Sequence, residues 1–515
     1  MFNRMRSCVV MLMFGVLAGC FAEPADLLNG VALQYSTDGG ETFSTRPPTI
    51  QPGAQEEIVV KAEFQVYHTW DIASVNLSHS LDPRVIFPFT LNGQPITKPI
   101  EGMVYKAVPG IDRGMLVEGT NVLLGTIRVV NEKAQAKRFS MKLSLTVLTV
   151  DDLAFQTGPV LGAYDEGYFT VICRTNIPAE VTLRVAAAES SQVTWETVST
   201  SPRKLLHRFK APHRLNEPFR YRMEASRDGV VRKTPWYDAN IWTPASGRGL
   251  KFVAMGDSRT LVQPWRQVAG AVSKAEPDLV IFVGDMVTSG ELDWEWDEQF
   301  IGPSRDLFRK SPMYPVIGNH ENGAPVYNEL FYSPTTDGRG LNWYQTKDDV
   351  LLIGIVGYES FAVGTDNYNW LENVLAQSNA KFIFLFSHYP GWTSNQSGDL
   401  NEQGQPYDAI IHQAQTVIMP LLAKYNATAM IAGHYHCYER TEPPCGVTQV
   451  VTAGAGAPLK QRAENAEENN PYSAVFVTKY HYCLLETSGD TCTMTAITPT
   501  GQIIDTRTWQ ARESP

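Results

Sequence analysis

A chain of 515 residues exceeds the roughly 100–200 residues of one ordinary domain, so three folded units are expected. Hydrophobic residues at 43% and charged residues at 19% exclude wholesale disorder. The formal net charge of -11 leaves no basic footprint, so nucleic acid is not expected as a stable partner.

At the start of the chain, Arg4 and Arg6 precede the apolar run Val9 to Leu17, which is too short to span a membrane and has the proportions of a signal-peptide core. Leu17-Ala18-Gly19-Cys20 follows. This tetrapeptide resembles the lipobox of bacterial lipoproteins, which implies a cleaved signal over 1-19, a lipid on Cys20 and a place in the cell envelope, periplasmic or at the outer surface. An ordinary signal peptide cut at a small-residue site is the alternative. No later stretch reaches the roughly 18 apolar residues of a membrane span, so membrane contact is expected only through that lipid.

Residues 30-150 read as short alternating strands, with Ile58 to Val66 and Met141 to Val150 the clearest, punctuated by Gly and Pro. The expectation is an all-β sandwich without visible chemistry. Residues 152-244 read as a second all-β sandwich of fibronectin-like length, with strands near Tyr168 to Arg174, Ala179 to Val185, Leu205 to Phe209 and Phe219 to Ala225. Ala245 to Gly249 has linker composition.

Over 249-509 the pattern becomes strand–helix alternation. Strands are expected at Leu250 to Met255 and Leu279 to Val283, with others ending at Ile317, Ser387 and Ile431; helices are expected at Trp265 to Ala275, Leu292 to Arg309, Asn369 to Gln377 and Gln415 to Lys424. An α/β sheet presents its functional residues beyond the carboxyl ends of its strands. Five fragments stand there: Gly256-Asp257-Ser258-Arg259, Gly284-Asp285, Gly318-Asn319-His320-Glu321, Ser387-His388-Tyr389-Pro390 and Gly433-His434-Tyr435-His436. A lone Gly-Asp pair is ordinarily a turn. Together, two aspartates, an asparagine and three histidines at strand ends supply the oxygen and imidazole donors that suit a pair of transition-metal ions.

This series resembles the signature of calcineurin-like metallophosphoesterases, and most of all the purple acid phosphatases, whose catalytic domain also follows a fibronectin-like domain. The resemblance implies a four-layer αββα catalytic domain and an exported hydrolase acting on small phosphate esters, a phosphomonoesterase first and a phosphodiesterase or a weakened surface-anchored binding protein as alternatives. It implies two divalent or trivalent ions of Fe, Mn or Zn, with Asp285 bridging both. Asp257 and His436 would complete the first position, and Asn319, His388 and His434 the second, around a shared water. His320 would protonate the leaving oxygen or stabilise its charge.

Two positions depart from the family. Where it places a histidine or a metal-bound tyrosine, this chain has Arg259 and Thr288. The first position is therefore expected to bind its ion more weakly, with Arg259 either meeting phosphate through its guanidinium fork or paired with a nearby carboxylate. Glu321 is either a partner of His320 or, as an isolated carboxylate after a motif, a solvated loop residue, the reading preferred from sequence. Tyr435, Tyr438, Glu439 and Arg440 read as substrate contacts or as packing and an ion pair. Trp294, Trp296 and Phe300 have helical spacing and read as core. Gln461 to Asn470 has the composition of a mobile loop. Cys483 and Cys492 flank a turn and would suit a cross-hairpin disulfide, Cys437 and Cys445 could close a short loop, and Cys173 reads as a buried thiol.

Overall fold

The computed structural model describes residues 25–82, 89–165, 167–187, 196–212, 218–336, 341–406 and 408–512. The signal segment and Cys20 lie outside the described residues.

In the first third of the chain, Gln55–Val66 and Gly119–Val130 pair antiparallel along their whole length. With Gln34–Ser36, Phe89–Leu91 and Gln94–Pro95 they form a five-stranded sheet, while Leu143–Thr149, Ile72–His79 and Ala107–Asp112 form a three-stranded one. Strand alternation puts Ile58, Val60, Ala62, Phe64 and Val66 on one face, where they pack with Val75, Leu77, Leu123 and Leu145.

Where two strands are expected between Tyr168 and Val185, a single 20-residue strand runs, Tyr168–Ala187. Its first part pairs with Phe155–Asp165 and its second with Phe219–Arg227, with a slip in its pairing to Glu196–Pro212 between Arg174 and Ala179. That change of partner, around Pro178, is what the sequence presents as a gap between strands. The inward side chains Val171, Cys173, Leu183, Tyr221 and Met223 belong to a core that continues into Leu250, Phe252 and Ile281.

The remainder is built on two sheets. One runs in the order Met313–Val316, Leu279–Val283, Lys251–Met255, Tyr482–Ser488, Thr491–Ile497, Ile503–Gln510, the first three strands parallel. The other has eight strands, with Val350–Gly354, Phe382–Ser387, Ala429–Ala432 and Thr448–Thr452 parallel at its centre. Side-chain alternation divides each strand between two layers. Phe252, Ala254, Ile281 and Val283 face Phe384, Phe386, Ile431 and Val450 between the sheets. Val253, Met255, Val280 and Phe282 face outward to Trp265, Val268 and Val272 of helix Val262–Ala275. Ile353, Ile383, Leu385 and Met430 face the opposite way, toward Leu371, Leu375, Met419 and Leu422 on helices Asp366–Ala376 and Met419–Lys424. Helix, sheet, sheet and helix are therefore stacked in four layers.

Several expectations are corrected. The long helix at Leu292 to Arg309 is three pieces, Asp293–Glu295, the wider π-type turns of Trp296–Ile301, and Arg305–Phe308, the last set apart by Gly302-Pro303, where Pro303 has no N–H for the ladder. Trp296 and Phe300 are core, but Trp294 is half-buried beneath Lys106, whose Nζ is 4.9 Å from its ring. Cys483 and Cys492 are free: the hairpin register pairs Cys483 with Ala496 and Cys492 with Thr487, so the two thiols are not opposite one another. Cys437 is buried and Cys445 exposed, and both are free. Gln461 to Asn470 carries a short helix, Ala466–Asn469, and is tied down by buried amides: Asn469 donates to the Asn395 carbonyl at 3.1 Å and Asn470 to Glu439 at 2.8 Å.

Candidate metal centre

All five motif loops leave the carboxyl ends of parallel strands and meet between the two sheets. The turns are tight enough that Asp257, Asp285, His434 and His436 adopt positive φ values of 63°, 56°, 74° and 37°. Left-handed backbone at non-glycine residues costs on the order of 1–3 kcal/mol each and persists where surrounding structure enforces it. Glycine enforces it here by closeness. A Cβ on Gly284 would stand 2.7 Å from both the Gly318 Cα and His388 Nδ1, so the loops carrying Asp285, Asn319 and His388 can converge only without one.

On one side of Asp285 the acceptors crowd together. His388 donates from Nδ1 to the Val283 carbonyl at 2.8 Å, which leaves Nε2 of the neutral ring as a bare acceptor. That atom is 3.2 Å from Asp285 Oδ1, 3.0 Å from Asn319 Oδ1 and 3.1 Å from His434 Nδ1. His434 Nδ1 is also 3.1 Å from Asn319 Oδ1. Lone pairs this close repel unless a cation lies among them, and this imidazole, carboxylate and amide set suits a transition metal. Asp285, His388 and His434 offer ligand atoms all within 4.8 Å of one another. In the metal-free chain a proton serves the same purpose. Burial lowers the His388 pKa, but the charge of Asp285 and its hydrogen bond outweigh burial and raise it to about 9. Burial, then the charge of His388, lowers His434 to about 3. Asp285 is itself buried, yet His388 holds its carboxyl well below the usual range.

On the other side, Asp257, Asp285 and His436 make a second group of equal closeness. His436 donates from Nδ1 to the Pro458 carbonyl at 2.8 Å, and its Nε2 is 3.5 Å from Asp257 Oδ1. Here donors are present. Both Asp257 oxygens accept the His434 backbone N–H, at 3.1 and 3.0 Å. Arg259 donates from Nε to Asp285 Oδ2 at 3.2 Å, and its Nη2 reaches His436 Nε2 at 3.5 Å. Burial raises Asp257 well above its ordinary value and lowers His436 to about 4. Thr288 joins neither group; its hydroxyl donates to Gln299 Oε1 at 2.9 Å and lies 3.2 Å from that of Thr260.

His320 stands above Asp285. Its backbone N–H donates to Asp285 Oδ1 at 3.2 Å and its Nδ1 to the Thr288 carbonyl at 2.5 Å, leaving Nε2 3.8 Å from Asp285 Oδ2 on a side chain that is 25% exposed. Glu321 is neither solvated nor turned to His320. It is fully buried, its Oε2 accepting the backbone N–H of Asp285 at 2.9 Å and Gly318 at 3.0 Å, its Oε1 those of Met286 at 2.8 Å and Val287 at 3.2 Å. Burial, with the charge of Asp285 second, pushes its pKa up to about 7. Sequence reasoning weighed Glu321 only as a partner of His320 or a solvated residue and passed over this role, in which it holds the Asp285 loop against the Asn319 loop. Tyr389 was also passed over; its ring centroid is 4.4 Å from that of His434. Tyr435, Tyr438, Glu439 and Arg440 have structural partners or burial instead: the Tyr438 hydroxyl donates to Asp505 at 2.6 Å, Arg440 pairs with Asp505 and Glu442 at 2.6 Å each, Glu439 accepts the Ser394 N–H at 2.9 Å, and Tyr435 is buried.

Residues 251–438 match the family described as calcineurin-like phosphoesterase. Among curated relatives, a probable purple acid phosphatase of Arabidopsis thaliana is 27% identical over 257 residues, covering 45% of this chain and 58% of the relative. Tartrate-resistant acid phosphatase type 5 of Mus musculus is 24% identical over 266 residues, covering 42% of this chain and 77% of the relative. The chain thus spans under two thirds of the plant relative's length. Among solved structures, a purple acid phosphatase from seeds of yellow lupin (Lupinus luteus) superposes with a TM-score of 0.59 at 13% identity, covering 88% of this chain and 93% of that one, a likeness of fold.

Proposed function

We propose that this chain, a metallophosphoesterase resembling the purple acid phosphatases, hydrolyses small phosphate monoesters with metal bound at Asp285, Asn319, His388 and His434. One observation carries the reading: the convergence on His388 Nε2 of acceptors from Asp285, Asn319 and His434. The expected metals remain Fe, Mn or Zn, and the two ligand groups sharing Asp285 offer two positions. A bound ion would supply Lewis-acid charge at the phosphate and lower the pKa of water. The protein's own part is to exclude alternatives in geometry. His320, its ring oriented through Nδ1 by the Thr288 carbonyl, carries a proton at Nε2 to the leaving oxygen. Arg259 adds a permanent positive charge beside Asp285 for a dianionic substrate.

The test is hydrolysis of para-nitrophenyl phosphate and of its bis ester by chelator-stripped protein, before and after Mn2+, Zn2+ or Fe is restored. Metal-dependent turnover that favours the monoester supports the reading, and preference for the bis ester would make the protein a phosphodiesterase. A binding protein that has lost turnover is favoured by Arg259 engaging Asp285, and metal uptake without hydrolysis of either ester would establish it.

Action in the cell envelope, with a lipid at Cys20, is supported by Leu17-Ala18-Gly19-Cys20; no helix among the described residues is long and apolar enough to cross a membrane. Cys20→Ser should move the protein out of the membrane fraction at unchanged specific activity, and unchanged partitioning would remove the lipid from the account.

A further inference from the structure

We infer that the guanidinium of Arg259 takes the place of a metal ion in the Asp257, Asp285 and His436 group, so that the centre holds one ion and one arginine. The inference rests on the metal-dependent reading above and narrows its two positions to one.

The three side chains alone would admit an ion, since their ligand atoms lie within 4.8 Å of one another. What does not fit is the company they keep. Of the lone pairs an ion would need, Asp285 Oδ2 already receives Arg259 Nε–H at 3.2 Å and His436 Nε2 faces Nη2 at 3.5 Å. Asp257 receives the His434 N–H on both oxygens. Asp285 Oδ2 and His436 Nε2 therefore both face the guanidinium, even though His436 Nε2 also lies 3.5 Å from Asp257 Oδ1, whereas on the other side Asn319 Oδ1, His388 Nε2 and His434 Nδ1 have chiefly one another.

Arg259 is placed there by the backbone and not by chance of rotamer alone. The N–H groups of Ser258 and Arg259 both donate to the Asp285 carbonyl, at 3.1 and 3.3 Å, which ties the arginine's own loop to the residue its side chain engages. The side chain is 21% exposed, so it is seated in the site with an edge open to solvent. A guanidinium is always charged and has five donors in a planar fork, so it can neutralise Asp285 through one edge and offer the remaining N–H groups to two phosphate oxygens. An ion in the same place would meet that fixed charge at close range. The substrate class this arrangement suits is a dianionic phosphate monoester, which gains from both cations.

The experiment counts metal in the full chain. Chelator-stripped protein is titrated with Mn2+ and with Zn2+, the bound metal measured by calorimetry and elemental analysis, and the Mn2+ form examined by electron paramagnetic resonance. Wild type should bind one equivalent and show an isolated Mn2+ spectrum. Arg259→His, which replaces the guanidinium by an imidazole ligand, should bind two and show a spin-coupled pair, and Arg259→Ala should raise KM for para-nitrophenyl phosphate about tenfold or more. Two equivalents in wild type, or one in a folded Arg259→His, would overturn the inference while leaving the metal-dependent reading intact. No bound metal in wild type would overturn both. Should Arg259→His fail to fold, the wild-type stoichiometry and spectrum decide the question by themselves.

Discussion

The two oxygens of Asp285 look out on different chemistry. Oδ1, which accepts the His320 backbone N–H at 3.2 Å, faces His388 Nε2 at 3.2 Å beside the converging acceptors Asn319 Oδ1 and His434 Nδ1, while Oδ2 faces the guanidinium of Arg259, with Nε at 3.2 Å. The sides share a carboxylate and left-handed turns, with Asp257, Asp285 and His436 all buried where Asn319 is exposed and His434 half-buried, so strain does not separate them. The pattern of donors does. Converging lone pairs with no fixed positive charge among them call for an external cation, and a group that already contains a guanidinium has its cation built in.

The comparison can be broken most severely at Asp285 itself. Asp285→Asn removes the charge common to both sides and should reduce hydrolysis to the assay background while the protein still folds. Near-normal turnover with metal retained would end the central role given to this residue. His320→Ala leaves both sides in place and should lower turnover by roughly 10²–10⁴-fold with metal content intact, the loss shrinking for esters with good leaving groups. Equal losses for good and poor leaving groups would deny it the acid's role.

A third prediction sharpens the contrast through pH. His388 is raised to about 9, so in the metal-free chain it is protonated at neutral pH, whereas a ligand must be neutral. Metal binding at pH 7 should release about one proton from it, and affinity should climb about tenfold per pH unit until it levels near 9. His434, lowered to about 3, and His436, lowered to about 4, are already neutral there and add nothing. Calorimetry in buffers of different ionisation enthalpy measures this, and a proton count of zero would contradict it. The smallest effect is expected at Glu321. Glu321→Gln replaces an acceptor by an amide that cannot receive all four N–H groups, costing about 1–3 kcal/mol of stability in denaturant unfolding. The penalty should also appear in turnover, because the Asp285 and Asn319 loops lose their common anchor; a variant equal to wild type in both respects would make Glu321 incidental.

Much of this site is written in local sequence, and the part that is not has a physical reason. The strand Leu279–Val283 was read to the residue because a fully buried parallel strand is a short apolar run ended by its glycine. The convergence of Asp285, Asn319, His388 and His434 was readable because each follows such a strand. Glu321 was misread because its partners Asp285, Met286 and Val287 belong to a loop some 35 residues earlier, and the residue types around it give no hint of that contact. Arg259 was left between two readings for the same reason, since its carboxylate partner is the very residue assigned to metal. The Cys483–Cys492 pairing failed on register, which turn composition does not determine, and Gln461 to Asn470 failed because polar amides can be spent on buried partners as readily as on water.

The most direct measurement is anomalous diffraction from crystals of the full chain grown with Mn2+ or Zn2+, recorded on either side of the metal's absorption edge. The account predicts one strong peak among Asp285 Oδ1, Asn319 Oδ1, His388 Nε2 and His434 Nδ1, with the Arg259 guanidinium still on Asp285 Oδ2. Two peaks of comparable height with Arg259 swung away, or no peak at all, would contradict it.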